Sequence, residues 1–145
     1  MQLYRQQIAA LIPHAGSMCL LDTVLDWDEG SIRCISRRHL AKDNPLRWAS
    51  GLGGICGLEF AAQAMAIHGR LAAPAGAAPS AGYLASVREM LCHERRLDHC
   101  GGELLVCADR LAGDERQALY RFAVSCGVGE LLSGRAAVLL HAAVP

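Results

Sequence analysis

The sequence carries no net charge, because 14 Lys and Arg balance 14 Asp and Glu. It therefore lacks both the basic footprint of a nucleic-acid binder and an acidic tail, which argues against partners recognised through bulk charge. No apolar run reaches the roughly 18 residues that a membrane span needs, since Glu59, Gln63 and His68 interrupt the most hydrophobic stretch. The opening Met1-Gln-Leu-Tyr-Arg-Gln-Gln has no charged segment followed by an apolar one, so no secretory leader and a soluble, cytoplasmic location are expected. The cysteines at 19, 34, 56, 92, 100, 107 and 126 include no CxxC. The one mixed cluster, Cys92-His93 with His99-Cys100, sets neighbours on opposite faces of a strand, and no metal is expected. Without a leader, buried free thiols are the expectation. No Gly-Lys-Ser/Thr follows the glycine cluster, which removes a phosphate-binding loop, and no internal repeat is present.

What is there suits one core. The chain has 145 residues, 52% of them apolar and 19% charged, which predicts a single domain over 1–145. Tyr4, Ile8 and Leu11 are spaced for a short helix closed by Pro13. Ser17 to Trp27 and Ile32 to Ile35 read as two antiparallel strands around the turn Asp28-Glu-Gly30. Residues 40–54, with Asp43-Asn-Pro45 and a run of glycines, predict an irregular loop of the length that serves a site. Ile55 to Ala73 is apolar on nearly every side, which marks a helix enclosed by other structure. Pro74 to Pro79 ends it, and four strand-like segments follow at about 82–92, 103–112, 116–127 and 130–142. The order predicts an α+β domain with a six-stranded antiparallel sheet wrapped around one central helix.

Three pieces carry a family resemblance: Ile12-Pro-His14 with Met18-Cys-Leu-Leu-Asp22-Thr-Val24, Gly57-Leu-Glu-Phe-Ala-Ala-Gln-Ala64, and Gly82-Tyr-Leu-Ala-Ser-Val-Arg88 leading to Gly101-Gly-Glu-Leu-Leu105. In this order they resemble the hotdog-fold 3-hydroxyacyl-acyl-carrier-protein dehydratases over nearly the whole chain. The sequence departs from that family where a Gly-His-Phe-Pro segment would precede the helix. Arg38-His39 and Asp43-Asn-Pro-Leu-Arg47 stand there instead, similar to a divergent bacterial branch linked to aryl-polyene biosynthesis.

Glu59 and His39 are the candidate catalytic pair. A carboxyl in the first turns of an apolar helix loses hydration and holds its proton more readily, while the helix dipole acts the other way; the alternative is a helix-start Glu facing solvent. His39, 20 residues earlier, is the histidine nearest in sequence to where the family carries its base, and a neutral imidazole is able to take a proton alpha to a thioester carbonyl. Its alternative is a polar strand end. Gln63 lies one turn beyond Glu59, placed either to orient the carboxyl or to cap a groove. Gly53, Gly54, Ile55, Cys56 and Gly57 supply helix-start amides for an enolate oxygen, or only a tight turn. Tyr83, in the Gly82-Tyr-Leu piece, joins the substrate-binding set. Arg88, Arg95 and Arg96 concentrate positive charge, either for a carrier protein or pantetheine phosphate or to discourage edge aggregation. The resemblance makes His14 structural, and His68, His93, His99 and His141 are read as structural too.

The expected activity is dehydration of a 3-hydroxyacyl thioester, carried on acyl-carrier protein or coenzyme A, without metal or redox cofactor. The resemblance implies a homodimer joined sheet edge to sheet edge, or a higher oligomer, with an acyl tunnel at the interface and the two groups drawn from different subunits. Two alternatives stand beside it. One is a hotdog thioesterase in which Glu59 activates water. The other is a non-catalytic partner that completes a heterodimer with a related dehydratase. Neither nucleic acid nor membrane is an expected partner.

Overall fold

The computed structural model describes residues 2–12, 16–49, 51–74, 81–127 and 129–141; the expectation for His14 lies outside them. Along the chain come β1 (Leu3–Tyr4), α1 (Arg5–Leu11), β2 (Thr23–Trp27), β3 (Ser31–Ser36), α2 (Gly57–Leu71), β4 (Ala81–Cys92), β5 (Leu104–Gly113), β6 (Gln117–Cys126) and β7 (Gly129–His141). Short 3-10 turns occupy Gly16–Met18, Arg38–Leu40, Gly54–Cys56 and Leu97–His99. The strands form one antiparallel sheet in the order β1-β2-β3-β5-β6-β7-β4. It has seven strands, not six, because Leu3 and Tyr4 pair with Val24 and Thr23 before the first helix begins.

α2 is apolar almost all round because the sheet curls about it. Phe60, Ala61, Ala64, Met65 and Ile67 are buried against Val106, Ala108, Phe122, Val124 and Leu132 in one core. Burial of each large side chain there is worth about 1.5–3 kcal/mol. The strands alternate as a half-buried sheet must: Ala118, Tyr120, Phe122 and Val124 of β6 point inward, and the residues between them outward. A side chain on Gly57 would press on Leu132 of β7, 3.1 Å from the added carbon, so glycine lets the helix start lie close to the sheet.

The long strand expected over Ser17 to Trp27 is shorter, and its reason is chemical. Cys19, Leu20 and Leu21 are all buried in succession, which a pleated strand with one wet face does not allow. Their backbone is held by side chains. Leu20 N–H donates to Gln63 Oε1 at 2.8 Å, Gln63 Nε2 donates to the Met18 carbonyl at 2.6 Å, and the Ser36 hydroxyl donates to the Leu20 carbonyl at 2.5 Å.

At the far end of α2, His68 is wholly buried. Its Nε2 faces the Asp28 carbonyl at 2.8 Å, an atom that only accepts, so Nε2 carries the proton and Nδ1 accepts from the Tyr120 hydroxyl at 2.7 Å. Asp28 also shapes the β2–β3 turn through Gly30 N–H at 2.8 Å, so one histidine ties helix, turn and β6.

One expectation fails: Cys100 and Cys126 form a disulfide, whereas free thiols were expected throughout. The pairing of Leu104 with Cys126 brings the chain just before β5 beside the end of β6, and the two Cα atoms lie 6.1 Å apart, within disulfide reach. Cys19, Cys34, Cys56, Cys92 and Cys107 are free. Thiol titration of the denatured, unreduced protein should therefore count five groups, rising to seven after reduction; seven before reduction would contradict the pairing.

Burial pushes the His68 pKa below its ordinary 6.5. The unfolded chain then binds a proton that the folded one refuses. The stability this neutral ring contributes is complete above pH 6.5 and is lost as pH falls from there toward the folded-state pKa. We expect His68→Asn to flatten that decline and to cost about 1–3 kcal/mol above pH 7, because the Tyr120 hydroxyl loses its acceptor. Chemical denaturation on both sides of the titration checks slope and offset together.

Candidate active site

The loop before α2 is fixed by a carboxylate. Asp98, in the Leu97–His99 turn, takes Arg96 Nε on Oδ1 at 3.1 Å and the other guanidinium arm on Oδ2 at 2.6 Å, and accepts the Leu52 N–H at 3.2 Å. Arg47 stands 4.0 Å away. The Arg96 hydrogen bonds, helped by Leu52, hold the Asp98 pKa down to about 2 against the cost of burial, so the carboxylate stays charged at any working pH. The Leu52–Gly54 strip pairs with Arg95–Leu97: Leu97 N–H donates to the Leu52 carbonyl at 2.8 Å and Gly54 N–H to the Arg95 carbonyl at 2.9 Å. Gly51 is needed here. Its φ of +146° belongs to glycine, and a Cβ would run into the Arg96 guanidinium and the Asp98 carboxylate. Gly54 is needed too, since a Cβ would strike the Glu94 carbonyl.

His39 sits behind this strip, in the Arg38–Leu40 turn, with no exposed surface. Asn44 organises the chain after it: its Nδ2 donates to the Arg38 carbonyl at 2.8 Å and its Oδ1 accepts Leu46 N–H at 2.9 Å. His39 Nε2 lies 2.9 Å from the Cys100 carbonyl. A carbonyl cannot donate, so the proton is on Nε2 and Nδ1 holds a bare lone pair. Nδ1 is buried and has no hydrogen-bond partner among the described residues. Burial pushes the His39 pKa below its usual value, with the Cys100 and Gly102 carbonyls and Asp98 pulling the other way and Arg37 adding to the fall. The balance favours the neutral ring.

Glu59 lies in the first turn of α2 and is exposed. The hydration loss expected of it does not occur within a single chain, because the helix turns this one side outward. Its carboxylate is felt by the Cys56 thiol, which burial pushes upward against the Gly53 N–H that faces the sulfur, with Glu59 adding a smaller push upward. His39 is thus interior and Glu59 superficial, and the charged groups that perturb His39 are Arg37 and Asp98. Gln63 does not orient Glu59. Both ends of its amide are taken by the backbone of Met18 and Leu20.

Of the helix-start amides, three are used by the chain itself. Gly54 donates to Arg95, Cys56 to Gly53 at 3.0 Å, and Gly57 to Gly54 and Ile55. Gly53 faces Arg96 as an isolated antiparallel pair flanked by the two strip bonds, a position whose own N–H points away from the partner strand. Among the described residues no backbone carbonyl takes the Gly53 or Ile55 N–H, and Ile55 is 50% exposed.

Arg88, Arg95 and Arg96 do not act as one cationic patch. Arg88 is exposed on β4 opposite Arg135 of β7, Arg95 is exposed beside the strip, and Arg96 is committed to Asp98. Tyr83 pairs through its backbone with Leu139; its side chain lies outside the described residues. Sequence reasoning missed Asp98, Cys100 and Asn44. Asp98 had one usable signal, the charge pair Arg96-Leu-Asp98 beside the turn preceding β5, whereas nothing local marks the Cys100 carbonyl.

With this geometry, the chain is similar to several solved structures. The dehydratase heterocomplex ApeI:P from Xenorhabdus doucetiae matches with a TM-score of 0.81 at 22% identity over 93% of this chain and 91% of that one. A thioesterase from Haemophilus influenzae matches with a TM-score of 0.66 at 10% identity over 96% and 91%, and a mutant thioesterase from Pseudomonas aeruginosa with 0.62 at 13% over 93% and 91%. At such identities the likeness fixes the fold, which is the hotdog fold. No curated protein sequence matches. The sequence profile of the ApeP-like family, described as ApeP dehydratase, matches residues 6–143. A match over nearly the full length decides membership: the chain belongs to the ApeP-like dehydratase family.

Proposed function

We propose that the protein, as a single hotdog domain in the cytoplasm, dehydrates a 3-hydroxyacyl thioester carried on acyl-carrier protein, or on coenzyme A, to the trans-2-enoyl thioester. His39 Nδ1 removes the alpha proton, Glu59 protonates the departing hydroxyl as water, and the Ile55 amide, joined by that of Gly53 as it turns from the Cys56 sulfur, holds the carbonyl oxygen as it becomes an enolate. The observation that carries this reading is the lone pair on His39 Nδ1. A buried polar atom left without a partner costs about 1–3 kcal/mol, a cost that a base awaiting its proton explains.

The acid and the base come from different subunits. β4 is a sheet edge 12 residues long with Leu84, Met90 and Leu91 exposed, and an edge of that length and character calls for a covering strand. The helix start is tied to residues 95–97, the continuation of β4, so a subunit seated on that edge lies beside Ile55 and Glu59. A homodimer satisfies this. A heterodimer with a related hotdog dehydratase is the second reading, favoured by the enclosure of His39 within its own chain and by the likeness to a dehydratase heterocomplex. Arg88 and Arg95, both exposed, are the arginines left to meet an acidic carrier.

Turnover of a 3-hydroxyacyl-carrier thioester should give the enoyl product without release of free thiol. His39→Ala should lower kcat by about 10²–10⁴, the share a general base supplies, and Glu59→Gln should lower it comparably. Undiminished turnover in both variants would reject the assignment, and release of free thiol alone would make the protein a thioesterase. Turnover that requires an added related dehydratase and ignores His39→Ala selects the second reading.

A further inference from the structure

The acceptor that sets the His39 tautomer is not an ordinary loop carbonyl. Cys100 is buried and its carbonyl takes the Nε2 proton at 2.9 Å. On its N-terminal side Cys100 is held by one bond of a 3-10 turn, from its N–H to the Leu97 carbonyl at 3.2 Å. On its C-terminal side follow Gly101 and Gly102, exposed and with open space where side chains would be, the least constrained dipeptide a chain offers. What anchors Cys100 to the sheet is its disulfide to Cys126, the last residue of β6, which is paired on both sides with Leu104 of β5 and Gly129 of β7.

We propose that the Cys100–Cys126 disulfide is a redox-gated positioning element for His39: intact, it keeps the Cys100 carbonyl on Nε2 and the lone pair on Nδ1, and once reduced it releases both. The inference rests on the reading of His39 as the base. The step is a two-electron exchange with a dithiol. The dithiol is oxidised to its own disulfide, the Cys100–Cys126 bond breaks, and the two protons pass to the cysteine sulfurs. The new Cys100 thiol keeps the contact its sulfur already makes with the Gly102 carbonyl at 3.4 Å, so the release comes from the lost tether to β6: Cys100, followed by two unconstrained glycines, is free to shift and its carbonyl leaves the imidazole. His39 then exchanges its proton between the two nitrogens, and the fraction with a bare Nδ1 falls. Disulfides of proteins in a reducing compartment are characteristically transient and redox-sensing, which fits a gate better than a permanent staple.

The test reads the imidazole directly. Nitrogen NMR of the His39 ring, assigned by its loss in His39→Gln, should show a single tautomer with the proton on Nε2 in the oxidised protein. After dithiol treatment, and in Cys126→Ser, it should show exchange between both tautomers. In the same samples kcat should fall about tenfold with KM within about twofold, inside the range a general base contributes, and return on reoxidation in the wild type but not in Cys126→Ser. Cys107→Ser, which removes a thiol outside this pair, should leave tautomer and turnover unchanged. An unaltered Nε2–H tautomer and turnover in the reduced protein would overturn the proposal. Loss of the fold on reduction, read by circular dichroism, would overturn it as well, because the bond would then be a general staple. Full turnover in His39→Ala refutes the base reading instead, and the tautomer measurement stands apart from it.

Discussion

Everything about the candidate site depends on the Asp98 carboxylate and the strip it holds. A single charged group satisfies the Leu52 amide and the Arg96 guanidinium, and the strip then pairs residue by residue with the chain leading into Cys100. This joins two structures that the fold alone would leave independent: the glycine-rich start of α2, with Glu59 one turn in, and the loop whose carbonyl fixes the His39 ring. Charge-assisted bonds of this kind are roughly twice as strong as neutral ones, and the depressed pKa of Asp98, about 2, keeps them in force wherever the protein folds.

The same linkage explains why the glycines are where they are. Gly51 and Gly54 mark points at which backbone must pass against the Arg96–Asp98 pair and the Glu94 carbonyl. They are sites of close approach first. Of the helix-start amides proposed to hold an enolate oxygen, only those of Gly53 and Ile55 are left outside the strip's backbone pairing. The proposed catalytic groups are therefore a remainder, those that the backbone pairing of the strip does not consume: one ring nitrogen, the outward amides and one exposed carboxyl.

Much of the fold was legible because it follows from local pattern. An apolar helix flanked by glycine and proline, and strands punctuated by turn residues, predict a wrapped helix and an antiparallel sheet, and the seventh strand is a two-residue addition. Where the sequence misled, a long-range demand outweighed the local one. Gln63 sits one turn from Glu59, yet the unpaired backbone at Met18 and Leu20, more than 40 residues away in sequence, claims its amide. Arg96 is adjacent to Arg95 in sequence but bends back to Asp98. The disulfide joins cysteines 26 residues apart with no spacing signature, since only the β5–β6 register brings them together. His39 and Glu59 were legible as chemical types, whereas the tautomer of one and the exposure of the other come from contacts that no window of sequence contains.

The measurement closest to the central claim is a crystal structure of the assembled protein with a non-eliminating 3-hydroxyacyl pantetheine amide. The account predicts the alpha carbon about 3–3.5 Å from Nδ1 of His39, the spacing of a near-attack geometry, with Glu59 of the adjoining subunit at the 3-hydroxyl. An acyl chain lodged elsewhere, with Nδ1 still enclosed and the Glu59 carboxyl still in water, would contradict it.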